Sequence, residues 1–191
     1  MCIRSLVTMS DLSPQHSAAA LRVILPSAMT FLSGFASLSV KWLAPQDTIS
    51  AIVKCADGTH GVFELSVAAP TQTRSSAGNG IVVTGTDGHL TVTQTRVRDP
   101  ITGDERPVFR ITIKSVTRDA DGKASPEREE VIDEPVRGVE VELAGFFAAA
   151  LEGKEDGLGN PRGALRDVAI IEASLKSDGR LIDLEKLVAP V

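Results

Sequence analysis

Through the middle of the chain, apolar and polar residues alternate with a period of two, the pattern of strands that bury one face. Phe63, Leu65 and Val67 oppose Val62, Glu64 and Ser66 between Gly61 and Ala68. Leu90 and Val92 oppose Thr91, Thr93 and Thr95, and within Val108 to Val116 Phe109, Ile111 and Ile113 oppose Arg110, Thr112 and Lys114. Thr48 to Ala56 is β-branched or apolar almost throughout, Ile81 to Gly85 reads as a further strand, and Glu129 to Asp133 adds a short edge strand. Asp57-Gly58 and Thr86-Asp87-Gly88 place glycine where tight hairpins need a positive φ. About five strands joined by short turns predict a largely antiparallel sheet.

Helical spacing appears on either side of these strands. Ser17 to Leu32 carries Ala20, Leu21, Ile24, Leu25, Ala28 and Leu32 on one face, predicting a helix kinked at Pro26. Gly138 to Leu151, with Val139, Leu143, Phe146, Phe147 and Ala150, predicts a helix that covers the sheet and stops at Gly153. Pro161 to Ser177 predicts another, with proline in its first turn and a stripe of Leu165, Val168, Ala169, Ile171 and Leu175. Arg98 to Pro107 and Arg118 to Arg128 read as mobile, solvated loops. The expected class is α+β, a largely antiparallel open sheet covered by helices on one face.

Composition narrows the functional classes. A chain of 191 residues, 42% hydrophobic, can bury one core. Its net charge is -5 and its basic residues are scattered, so no nucleic-acid footprint is expected. Ala18 to Phe35, the most apolar stretch, is broken by Arg22, Pro26, Ser27, Thr30 and Ser33, which argues against a membrane span. Met1 to Gln15 has a short apolar run and Arg4 but no cleavage site, so no targeting role is expected. Cys2 and Cys55 stand at neither disulfide nor metal spacing, which suits a reduced, cytoplasmic setting.

Three stretches occur in a telling order: His16-Ser17-Ala18-Ala19-Ala20-Leu21-Arg22; Asp47 to Ala69 followed by Ile81-Val82-Val83-Thr84-Gly85-Thr86-Asp87-Gly88-His89-Leu90; and Arg162-Gly163-Ala164-Leu165-Arg166-Asp167-Val168-Ala169 with Gly179 soon after. Together they resemble the C-terminal α/β domain of the Gfo/Idh/MocA family of oxidoreductases, particularly fungal members. The resemblance covers about residues 16 to 188 and leaves 1–15 as a non-matching segment before a domain at 16–191. Complete members place a Rossmann domain first, bind NAD or NADP there, and pack the second domain's open sheet against another subunit. The resemblance therefore implies a substrate and oligomerisation domain, a homo-oligomer, and a small carbohydrate-like substrate. Two alternatives stay open: a fragment of a complete sugar or polyol dehydrogenase, and a non-enzymatic module that pairs with full-length relatives.

The chemistry legible in the residues is sparse. A dinucleotide cradle needs a strand, a glycine-rich turn and a helix N-terminus, with an acidic residue about 20 positions later. Gly78, Gly80, Gly85 and Gly88 lie between predicted strands, and Gly157, Gly159 and Gly163 follow no strand, so no cofactor is expected on this chain alone. The family's lysine sits in a Glu-Lys-Pro motif, whereas Glu185-Lys186 here is followed by Leu187. The resemblance offers one catalytic candidate, His16, matching the histidine of Asp-x-Gly-x-His; Leu12 and Pro14 occupy the aspartate and glycine positions, and Asp11 is displaced by one. His60 and His89 lack companions at metal spacing, so no metal site is expected. Trp42, Phe35 and Leu43 are expected to fill the core.

Overall fold

The computed structural model describes residues 4–9, 14–68, 80–154 and 159–187. In chain order the strands are β1 (Arg4–Met9), β2 (Met29–Ser37), β3 (Thr48–Cys55), β4 (His60–Ser66), β5 (Gly80–Gly85), β6 (Gly88–Arg98), β7 (Glu105–Ser115), β8 (Arg128–Pro135) and β9 (Ile182–Asp183). The helices are α1 (Pro14–Ile24), α2 (Gly138–Glu152) and α3 (Pro161–Lys176). One nine-stranded sheet joins the strands in the order β8-β7-β6-β5-β1-β4-β3-β2-β9. All its neighbours run antiparallel except β1 and β4, whose parallel pairing requires a crossover, and α1 lies in that connection. Arg4–Met9, in the segment that carries no family resemblance, thus sits centrally in the sheet.

The alternation in the sequence becomes a two-faced sheet. Ile49, Ala51, Val53 and Cys55 of β3 and Gly61, Phe63 and Leu65 of β4 are buried on one face, and every second residue between them turns to the other. α1 and α3 cover that face over β2 and β3, adding Ala18, Leu21, Leu25, Ile170 and Ala173 to the core. The expected class holds: α+β, with helices on one side of a largely antiparallel sheet.

Several expectations fail for physical reasons. Met29–Ser37 is a strand, not the second half of a kinked helix. Pro26 cannot donate to the helix ladder and its ring clashes one turn back, so α1 ends at Ile24. The following residues pair with β3 and β9 and bury Thr30, Leu32 and Gly34 alternately.

α2 does not cover the sheet, and none of its residues is buried. Its apolar side chains, Val139, Val141, Leu143, Phe146, Phe147 and Leu151, are spread around the helix instead of forming one stripe to lay down. α3 starts at Pro161 as expected, but Leu165, Val168 and Leu175 of the predicted stripe are exposed. Its buried face is Gly163, Asp167, Ile170, Ala173 and Ser174, small enough to let the helix approach α1 and β2 closely.

The expected mobile loops are both organised. β6 and β7 extend to Arg98 and Glu105, leaving a tight turn where Asp99 N–H donates to the Asp104 carbonyl. Arg118 and Ala124 form an antiparallel bridge, and Asp119 accepts from the Asp121 and Lys123 amides.

Candidate functional site

His16 lies in the first turn of α1, exposed, with Ser17, Ala18 and Leu21 buried beside it. Asp11 and Leu12, the positions compared with the family motif, fall outside the described residues. Arg22 follows six residues after His16, roughly 9 Å along the helix axis. Its Nε and Nη2 donate to Oδ1 and Oδ2 of Asp167 at 3.0 and 3.2 Å, a forked ion pair that ties α1 to α3. The guanidinium lies flat on Gly163: a Cβ there would stand 3.1 Å from its central carbon and from Nη2. Asn160 caps the helix, its side-chain oxygen accepting from the Gly163 amide at 2.7 Å.

Beside this pair is a cleft of about 330 Å³. Arg22, Arg162, Arg166 and Glu185 supply its polar groups, over a floor that includes Met29, Ile170 and Leu184. A larger concavity, about 780 Å³, runs along α2 past Val141, Phe146 and Ala149 to Asn160.

The turn after α3 is latched onto β2. The buried Ser177 hydroxyl accepts from the Gly34 amide at 3.0 Å and donates to the Arg180 carbonyl at 2.5 Å. Ser33 donates to the Gly179 carbonyl, and the Phe35 ring lies where a Cβ on Gly179 would be. At the other end of β2, Asp47 accepts from the amides of Ser39 and Val40 and from the Thr48 hydroxyl. Burial opposes its charge, but these donors together outweigh burial and hold its carboxyl below the usual range.

The sheet face away from the helices is mixed. Arg110 on β7 makes a forked pair with Asp133 on β8 at 2.7 and 2.8 Å, which lowers the Asp133 pKa and raises that of Arg110. Phe35, Ile52, Val62 and Val131 stand among such polar groups and are exposed. Phe35 and Trp42 therefore do not fill the core: they are 63% and 86% exposed. The alternation of β2 turns Phe35 outward, and Trp42 lies in the short 3-10 turn Lys41–Leu43, none of which is buried.

Other candidate groups have structural settings. His60 begins β4 beside the hairpin turn, its ring nitrogen 3.5 Å from the Gly58 carbonyl, and His89 lies between Thr84 and Lys114 in the sheet register. Among the described residues, no three His, Cys, Asp or Glu side chains gather as a metal site. Gly80 and Gly88 serve close backbone approach, since a Cβ would stand 2.4 Å from the Val92 carbonyl oxygen and 2.0 Å from that of Lys114. Gly78 and Gly157 lie outside the described residues. Lys186 pairs with Asp183 in the closing 3-10 turn. Cys55 is buried, and burial, aided by the Asp57 carboxylate, pushes its thiol above the usual range. Among the described residues, no helix is long and apolar enough to cross a membrane.

No family model and no curated protein matches the chain. Solved structures do match. An oxidoreductase from Thermotoga maritima is 21% identical with a TM-score of 0.66, over 98% of this chain and 54% of that one. An oxidoreductase from Agrobacterium radiobacter, solved with NAD+, L-tartaric acid and magnesium, is 15% identical with a TM-score of 0.67, over 98% and 57%. Levoglucosan dehydrogenase with NADH and levoglucosan is 13% identical with a TM-score of 0.67, over 96% and 58%. The chain thus spans little more than half of each, and it has the fold of part of a Gfo/Idh/MocA-type oxidoreductase.

Proposed function

We propose that this chain is the substrate-side and assembly half of an NAD(P)-dependent oxidoreductase acting on a sugar or related polyol, and that it transfers no hydride without a dinucleotide-binding half. The observation that carries this reading is coverage. Almost all of the chain superposes on little more than half of oxidoreductases solved with NAD+ or NADH. In the family that the sequence resembles, NAD or NADP belongs to a separate Rossmann domain.

In this reading His16 faces the substrate. Oxidising a carbinol releases a proton with the hydride, and histidine is suited to hold or pass that proton near neutral pH. The exposed apolar surface of α2 is where the dinucleotide-binding half would pack, because a monomer seldom leaves so much apolar area open. The sheet face bearing Phe35, Ile52, Val62 and Val131 would meet a second copy, as the family resemblance implies. A cytoplasmic setting accords with the buried, reduced Cys55.

Fluorescence titration of NADH and NADPH with the purified chain tests the first part. Saturable micromolar binding by this chain alone would overturn it. Size measurement at two concentrations tests the second: a strict monomer at both would remove the assembly role. A second reading, a non-enzymatic module that pairs with full-length relatives, is favoured by the same uncovered α2. Co-expression with such a relative tests it, and failure to capture the relative would count against it.

A further inference from the structure

We propose that two copies of this chain exchange α2: the helix of each lies on the uncovered half of the other's helix-side sheet face, over β6, β7 and β8. The inference does not need the dehydrogenase reading, and a dinucleotide-binding half would compete for the same helix.

The sheet supplies the seat. α1 and α3 cover β2 and β3, and none of the described helices covers β6, β7 or β8. The register nevertheless carries the core face outward: Val92 packs on the core, Ile111 and Ile132 follow it in one row across the sheet, and Leu90 and Ile113 form the next. With Phe109 these side chains are only half-buried.

The helix supplies the occupant. At about 100° per residue, Val139, Leu143, Phe146 and Phe147 fall within one sector of α2 about 100° wide, and each is at least half exposed. None of them is buried within its own chain. In a two-fold dimer the helix meets the sheet twice, which removes surface on the order of 1,000 Å², the size that a specific interface needs.

Charge sets the placement. Arg96 on β6 shares this face and stands opposite Pro107, and Glu130 on β8 stands opposite Ile113, about 20 Å further along β7. On α2, Glu142 borders the apolar sector, and Lys154 follows the helix about 18 Å away along its axis. All four residues are exposed and make no ion pair among the described residues. One orientation of the helix therefore brings Glu142 to Arg96 and Lys154 to Glu130, whereas the reversed one sets Glu142 against Glu130. Of the other charges near Arg96 on this face, Arg98 has Glu105 opposite, and the acid Glu134 suits the positive N-terminus of the incoming helix.

Sedimentation equilibrium of the full chain over a range of concentrations tests this, and the parent is expected to dimerise. Glu142→Arg and Arg96→Glu, each alone, set like charges together at both contacts and should weaken the dimer about tenfold. Mixed in equal amounts, the two variants should associate as the parent does, because each contact in the mixed dimer again joins opposite charges. Unchanged circular dichroism would show that both variants keep the fold. A parent that stays monomeric, variants that dimerise as tightly as the parent, or a mixture no tighter than either variant alone would overturn the proposal. The second of these outcomes would give the dimer to the opposite sheet face.

Discussion

Removing Arg22 tests the joint between α1 and α3 most directly. Asp167 has a side chain only 6% exposed, and both of its oxygens accept from Arg22. Arg22→Met leaves that carboxylate buried without its cation. Breaking a buried ion pair from one side costs about 3–5 kcal/mol, and because Arg22 is 24% exposed the low end, about 3 kcal/mol, is expected. With a urea m-value of about 2 kcal/mol/M, the unfolding midpoint should fall by about 1.5 M. Asp167→Leu alone should also destabilise, by a smaller amount, since Arg22 can turn toward water. The double variant, Arg22→Met with Asp167→Leu, replaces the pair by apolar groups of similar size and should come within about 1 kcal/mol of the parent. Urea unfolding of all four proteins, followed by circular dichroism, gives the coupling energy. A midpoint that moves by less than about 0.3 M in Arg22→Met, or a double variant whose losses simply add, would refute the view that this pair is buried and coupled.

Four further outcomes follow from the same geometry. Gly163→Ala should be close to neutral in the parent, where better helix propensity of up to about 1 kcal/mol is offset by pressure on Arg22, but stabilising in Arg22→Met; the same sign in both backgrounds would remove Arg22 as the reason for glycine. Ser177→Ala leaves the Gly34 amide buried without its acceptor and should cost about 1–3 kcal/mol, with faster hydrogen exchange at Gly34; unchanged exchange would count against the latch. Asp47, Asp57, Asp99, Asp133 and Asp183 all have folded pKa values below 3.8, so the unfolded chain takes up protons first. Their contribution is full above the ordinary carboxylate range and is lost as pH falls through it toward the lowered values, and Asp133→Asn should flatten that decline in a pH series of urea midpoints. Cys55 should resist thiol reagents in the native protein and react once urea unfolds it; labelling at the rate of a free thiol in the native state would contradict its burial.

The sequence by itself determined the elements whose pattern has one period. β4, β6 and β7 alternate along the chain, and the turns before β4 and β6 carry glycine at positive φ at Gly58 or at close approach at Gly88, so these strands were legible, with the facing of β4. β3 was legible as a strand from its β-branched run but not in its facing. β7 buries Val108 on the face of Arg110, and the turn at Gly103 was not legible. The start of α3 was legible for the same local reason, since Pro161 suits only a first turn. His16 could be placed on a helix from its neighbours, but its role came from resemblance and not from the residues.

Tertiary structure decided the rest, because packing selects among patterns that are locally equivalent. The apolar residues of 29–37 fit helix and strand alike, and pairing with β3 and β9 chose the strand. The hydrophobic residues of α2 resemble a core stripe until the folded chain leaves them outside, while α3 buries Asp167 because Arg22, distant in sequence, arrives to neutralise it. The cleft had no signal in the sequence at all. Arg22 stands 140 residues before Arg162, and only the docking of α1 on α3 brings their charges together.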